Sequence, residues 1–226
     1  MRNKKAFTLA EILLTLTVIG VVACLCIPAL IEKVQYEMYV SALKKDIANL
    51  SSAFKLIQSD NADSVVGIFT SSNTIMNLFC NKLNCALTCQ ANQQPGVCFE
   101  DGQNSWHTLD GRSGWQDNTG FARAVLTDGT LLSFQFMTST CNDGHYTING
   151  TSLNCAAVYL DVNGFNPPNT MGRDMFQVLI TQTGIISTGV QDSQMYSPLY
   201  CNPATAQNFN GDGCSGRVIM EGAMNY

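Results

Sequence analysis

Charge is what this sequence has least of. Only 13% of its 226 residues are Asp, Glu, Lys or Arg, about half the usual share for a soluble domain. That composition argues against an ordinary cytosolic enzyme. Basic residues are scarcest beyond residue 59, where Lys82, Arg112, Arg123, Arg173 and Arg217 stand against 13 acids. So acidic a body argues against a surface that tracks nucleic-acid phosphates. Histidine occurs twice, as His107 and His145, too seldom for Cys/His zinc sites. Repeats of 20–50 residues are missing, which removes solenoids. Ser-His-Asp, H-E-x-x-H, P-loop and strand-borne G-x-G-x-x-G patterns are missing as well. No enzyme is expected.

One long uncharged run is present. Arg2, Lys4 and Lys5 form a basic head. Between Phe7 and Ile31 the only charged residue is Glu11, and from Ile12 to Ile31 there are 20 consecutive uncharged residues. As a helix that run spans roughly 30 Å, one hydrocarbon thickness. The basic head would keep the N-terminus cytoplasmic and send the body across. After residue 31 the helical period continues, with Tyr36, Val40, Leu43, Ile47, Leu50, Phe54 and Ile57 spaced by steps of four and three. Glu32, Lys33, Glu37, Lys44, Lys45, Asp46 and Lys55 fall between them. The pattern predicts one helix from about residue 7 to 58 with a single apolar stripe on its second half. Pro28 removes one helical hydrogen bond and should bend or loosen the helix.

Glu11 does not suit a passive anchor, because a carboxylate within an apolar span is costly. Either it lies at the membrane edge, solvated by headgroups, or another molecule brings it a positive charge. Lys5-Ala6-Phe7-Thr8-Leu9-Ala10-Glu11 resembles the cleavage and methylation signal of type IV pilins and type II secretion pseudopilins. That family has a basic leader, a small residue (usually Gly, here Ala6), Phe-Thr-Leu-x-Glu and an apolar helix. Pro28 stands where such helices often carry a proline.

The resemblance implies cleavage by prepilin peptidase between Ala6 and Phe7 and N-methylation of Phe7. It implies that Glu11 meets the amino terminus of a neighbouring copy as helices stack into a fibre. It further implies four segments: a leader (1–6), a transmembrane half-helix (7–31), an amphipathic half-helix (32–58) and an extracytoplasmic pilin-like domain (59–226). The implied partners are copies of the chain, other pilins or pseudopilins, prepilin peptidase and an inner-membrane assembly platform. The protein would sit in the inner membrane as a single-pass chain, then in a periplasmic or cell-surface fibre. Val21-Val22-Ala23-Cys24 also fits a loose lipoprotein box, so an anchor on Cys24 is the rival reading. Against it stand Glu11 inside the apolar region, the run on to Ile31 and the patterned helix beyond. Cys24 and Cys26 otherwise serve as small apolar packing residues.

The other eight cysteines are an even set that suits an oxidising compartment. Cys80, Cys85, Cys89 and Cys98 are crowded together without a C-x-x-C pair, so disulfides are favoured over zinc, in any of three connectivities. Cys141 and Cys155 bracket one loop, Cys201 and Cys214 another. A short helix is expected at Thr74–Leu83. Strands are expected at Phe121–Thr127, Thr130–Phe136, Ala156–Val162, Met175–Thr181 and Ile185–Val190, with Asp128-Gly129 turning a hairpin. Trp106 and Trp115 read as loop residues with buried rings, and His107 as a surface or hydrogen-bonded histidine. The expected fold is α+β: a long N-terminal helix, its first half transmembrane, packed on a small antiparallel sheet with disulfide-stapled loops.

Asp161, Asn163, Asn166, Asn169 and Asp174 supply oxygens to one Gly- and Pro-rich loop, the donor type that calcium takes. The candidate ligands are Asp161, Asn163, Asn169 and Asp174. The loop also resembles a D-x-N-G…P-N-x-x-G-x-D loop of pseudopilin-like proteins, some of which bind calcium. The alternative is a connection whose side chains cap their own backbone, with Arg173 beside Asp174. Asn210-Gly-Asp212-Gly reads as a turn. A structural fibre subunit is thus the leading functional reading, and a minor pilin or adhesin that binds a surface ligand through its loops is the alternative.

Overall fold

The computed structural model describes residues 8–93, 97–98, 106–113 and 120–226. Trp115 and the segment ending in Ala6 and Phe7 lie outside the described residues. The chain divides into two units, Met1–Met38 and Tyr39–Tyr226. Helix α1, Leu9–Asp60, runs through both. Pro28 lies inside it without ending it.

In the second unit the rest of α1 is followed by α2 (Ser72–Cys80) and six strands: β1 (Cys85–Cys89), β2 (Ala122–Leu126), β3 (Leu131–Phe136), β4 (Asn154–Asp161), β5 (Met175–Thr181) and β6 (Ile185–Ser187). Helix α3 (Cys214–Glu221) follows after two short 3-10 turns. The strands form one antiparallel sheet in sequential order. This is an α+β, pilin-like architecture. The hairpin turns where expected, at Asp128-Gly129, with Gly129 at φ +94°, a conformation that glycine adopts without penalty.

Period-two alternation sets the two faces of the sheet. Ala122, Ala124, Leu132, Phe134, Val158, Leu160, Phe176 and Val178 share a core with Val40, Leu43, Leu50, Ala53, Phe54 and Ile57 of α1. On the opposite face Tyr159, Ala157, Met175 and Leu179 pack with Trp106, Phe121, Tyr146 and Met171 from the loops. Both faces are therefore covered, and every residue of β4 and β5 is buried. That explains why those strands read as nearly continuous apolar runs.

Four disulfides hold the loops: Cys80–Cys85, Cys89–Cys98, Cys141–Cys155 and Cys201–Cys214. The last two pairs are those the sequence brackets, and closing loops of that length contributes on the order of 3 kcal/mol each. Strand β1, helix α3 and the two 3-10 turns were not expected from the sequence. Strand β1 lies within the cysteine-crowded stretch and, among the described residues, pairs only with β2. Helix α3 is eight residues long and contains Gly216. Close packing admits it: a Cβ on Gly216 would stand 2.4 Å from the Val190 backbone nitrogen, and one on Gly189 would stand 1.9 Å from the Gly213 carbonyl oxygen.

One expectation about α1 needs correcting. Asp46 was read as part of the solvated face, yet it is buried at 1% exposure. Its position, three residues after Leu43 and four before Leu50, lies on the buried stripe. Thr130 Oγ1 donates to it at 3.2 Å and Lys45 Nζ lies 3.2 Å away.

Candidate functional site

Three consecutive features define the N-terminal site. Thr8 immediately precedes α1, and its side-chain oxygen accepts from the Glu11 amide at 3.2 Å. Glu11 returns the contact, its Oε2 accepting from the Thr8 amide at 2.8 Å and from Thr8 Oγ1 at 3.0 Å. This reciprocal capping box satisfies amides that would otherwise be left open at the helix start. The carboxylate also sits at the positive end of the helix dipole. The cap is a third way to satisfy Glu11, beside the headgroups or the positive charge from another molecule expected from the sequence. The Thr-x-x-Glu spacing that signals the cap was there to be read.

Beyond the cap the helix is apolar and exposed on all sides, from Leu13 through Leu16, Ile19, Val22, Leu25 and Leu30 to Ile31. Its few hydroxyls are satisfied within the helix, Thr15 donating to the Ile12 carbonyl and Thr17 to that of Leu14. Among the described residues it is the one helix long and apolar enough to cross a membrane. Cys24 and Cys26 are free and exposed on it. The prokaryotic N-terminal methylation motif matches residues 1–23. The N-terminus is a type IV pilin-like prepilin signal. Glu11 and the first turns of α1 fall within the matched segment, and Pro28 lies beyond it. No curated protein and no solved structure matches the chain.

The second candidate site is the loop between β4 and β5. Asp161 Oδ1 accepts from the Asn163 amide at 3.3 Å. Asp174 accepts from the amides of Asn169 and Thr170, each at 2.7 Å. Asn163 Nδ2 donates to Tyr39 Oη on α1 and to the Pro167 carbonyl, both at 3.2 Å. The four predicted ligands thus lie in one connection, buried at Asp161, Asn169 and Asp174 and exposed from Phe165 to Pro168, and much of their capacity is spent on capping the loop's own backbone. Arg173 points to solvent. Burial pushes the Asp174 carboxyl up, against the lowering effect of the two amides. Tyr39 is pushed up as well, first by burial and then by Asp174 and Asp161. Asn163 Oδ1 is buried without a hydrogen-bond partner. Among the described residues no three His, Cys, Asp or Glu side chains form a metal-binding group, so any cation here must rely on two carboxylates with amide oxygens.

Elsewhere Trp106 is buried as expected, 5.8 Å from the Tyr159 ring. His107 is tied by backbone bridges to Ser113 and Thr170. Asp212, read as part of a plain turn, is fully buried, and neither carboxylate oxygen has a hydrogen-bond partner. Burial alone pushes its carboxyl up to about 8. Nothing in the Asn-Gly-Asp-Gly spelling distinguishes it from a surface turn. Only the packing of residues 210–216 beneath Gly172 and Gly189 puts it inside.

Proposed function

We propose that this protein is a structural subunit of a type II secretion pseudopilus or type IV pilus-like fibre. The match of residues 1–23 to the methylation motif carries the reading. Prepilin peptidase cuts between Ala6 and Phe7, the new amino group of Phe7 is methylated, and α1 holds the subunit in the inner membrane until an assembly platform withdraws it. The body is extracytoplasmic, in keeping with four disulfides.

The Thr8–Glu11 cap supports a specific assembly step. While a subunit waits alone, Thr8 supplies three of the polar contacts around the carboxylate and cap. The ammonium of Phe7 on an adjacent copy then adds the charge that these neutral donors cannot give, which fixes the axial register. Partners are further copies of this chain and other pilins or pseudopilins. Intact-mass spectrometry of the mature protein tests processing: a chain starting at Phe7 with one added methyl is expected, and a chain starting at Met1 refutes it. Glu11→Ala tests the pairing: expression persists while fibres are lost or disordered, and normal fibres from that variant refute it.

A calcium ion in the 161–174 loop is a separate component of the reading, favoured by the buried and unbonded Asn163 Oδ1. Asp161, Asn163, Asn169 and Asp174 would hold it. A hard dication there satisfies an amide oxygen that the loop's own backbone leaves open.

A further inference from the structure

The sheet face opposite α1 carries a groove of about 550 Å³. Met137, His145 and Met195 are among the residues that line it, together with Asp143. Two thioethers and an imidazole thus border one cleft, and neither the prepilin signal nor the loop between β4 and β5 uses them.

Hydrogen bonds gather these residues from three separate segments. Met137 follows β3, and its amide donates to the Cys155 carbonyl at 3.1 Å. The preceding residue, Asn154, accepts from the Asp143 amide at 3.3 Å, and its Nδ2 donates to the carbonyls of Asp143 and Tyr146. The segment bearing His145 is therefore tied down next to Met137, and the Cys141–Cys155 disulfide closes it. On the far side Ile148 bridges Ser193, and the Gln194 amide donates to the Thr147 carbonyl at 3.1 Å. That pairing sets Met195 beside Tyr146 and His145. Met137 and Met195 pack on the same cluster as Met171 and Met175, but only partly buried, whereas Met171 and Met175 are fully enclosed. The enclosed pair fills core space; the other pair ends at the groove.

His145 is held as a metal ligand is held. Its side chain is 83% exposed. Its Nδ1 lies 2.8 Å from Asp143 Oδ1, which also accepts from the His145 amide at 2.9 Å. An acceptor-only carboxylate there places the ring proton on Nδ1 and leaves the lone pair on Nε2. A carboxylate behind the imidazole fixes ring orientation and raises the basicity of the other nitrogen. Its negative charge also offsets that of a bound cation. Thioether sulfur is soft and selects Cu(I), while imidazole also suits copper; calcium and magnesium want oxygen instead. The eight cysteines of the body are engaged in disulfides, so the soft donors here are methionines.

We propose that Met137, Met195 and His145 bind a cuprous ion in this groove, with Asp143 as the positioning residue behind His145. The site stands apart from the fibre-assembly signal and from the calcium loop. Cys24 and Cys26 are free and exposed on α1 and would compete for the ion. The test therefore uses the full chain in detergent carrying Cys24→Ser and Cys26→Ser. Cu(I), kept reduced by ascorbate without oxygen, is titrated against a chromophoric Cu(I) chelator. Ag(I), of equal charge and similar softness, is titrated into the same protein with methyl-labelled methionine and followed by NMR.

One Cu(I) per chain is expected, with Ag(I) shifting the Met137 and Met195 methyl signals and leaving those of Met171 and Met175 in place. Met137→Leu, Met195→Leu and His145→Ala should each weaken binding by about tenfold or more, and Asp143→Asn by about tenfold, with the melting temperature unchanged. Failure to compete for Cu(I), methyl shifts at other methionines instead, or binding that survives both His145→Ala and Met195→Leu overturns the proposal. Where a leucine variant fails to fold, His145→Ala, at an exposed side chain, decides it.

Discussion

Asp46 and Thr130 meet inside the body across 84 residues of sequence, with Thr130 Oγ1 donating to Asp46 Oδ2 at 3.2 Å. The contact locks α1 to the β2–β3 hairpin. Beside it, Lys45 Nζ reaches Asp128 Oδ2 at 2.5 Å and Asp46 Oδ1 at 3.2 Å, so one ammonium spans both acids. Asp46 is the buried member. Burial raises its carboxyl, while Lys45 and Thr130 pull it back down. Thr130→Val keeps shape but removes the donor, leaving a buried carboxylate with one bond fewer. Destabilisation by about 1–3 kcal/mol is expected, read as a lower denaturant midpoint with unchanged slope. Asp128→Asn, at a site 40% exposed, should cost well under that.

Raising the pH from acid through neutral should weaken the body through Asp212. Its folded carboxyl is raised to about 8 from an ordinary 3.8, so between those values the folded chain holds a proton that the unfolded chain has released. Stability from this group is therefore complete below about pH 4 and falls as pH rises, by roughly 1.4 kcal/mol per unit. Above about pH 8 the loss is complete and the curve levels. Asp46 and Asp174 are raised too and act in the same direction, so the difference between two proteins isolates Asp212. Asp212→Asn removes the charge at similar size. Melting curves from pH 5 to 9 should show the variant gaining on the wild type as pH rises; parallel curves would refute a protonated Asp212.

Helix α3 depends on the absence of a single methyl group. Gly216→Ala puts a Cβ 2.4 Å from the Val190 nitrogen and 2.5 Å from the Gly189 carbonyl carbon. Backbone atoms cannot step aside as a side chain can. A loss of about 1–3 kcal/mol is expected, although alanine is the better helix former. Gly20→Ala, with nothing within 4 Å, is the control that should leave the body's melting temperature unchanged.

Chelation gives a direct test of the loop between β4 and β5. If Asp161, Asn163, Asn169 and Asp174 hold calcium, a chelator lowers the melting temperature of wild-type protein and excess calcium restores it. Asn163→Leu should abolish the response, since it removes the unbonded oxygen. An unchanged wild-type melting temperature would mean that the loop's own hydrogen bonds suffice.

The sequence alone determined what depends on neighbours along the chain. Helical period marks α1 and its buried stripe, alternation and Asp128-Gly129 mark the central strands, and the prepilin signal is a local spelling from the basic head to Glu11. The Cys141–Cys155 and Cys201–Cys214 staples follow from short spacing. Tertiary structure decided the rest, because burial is a property of what lies opposite. Asp46 and Asp212 are spelled like surface acids, yet one faces a sheet and the other lies under two glycine turns. Helix α3 and strand β1 are too short to announce themselves by period and exist through what they pack or pair against. Gln135, His145 and Phe209, up to 74 positions apart, come together on one surface, a proximity that only the folded sheet and its disulfides create.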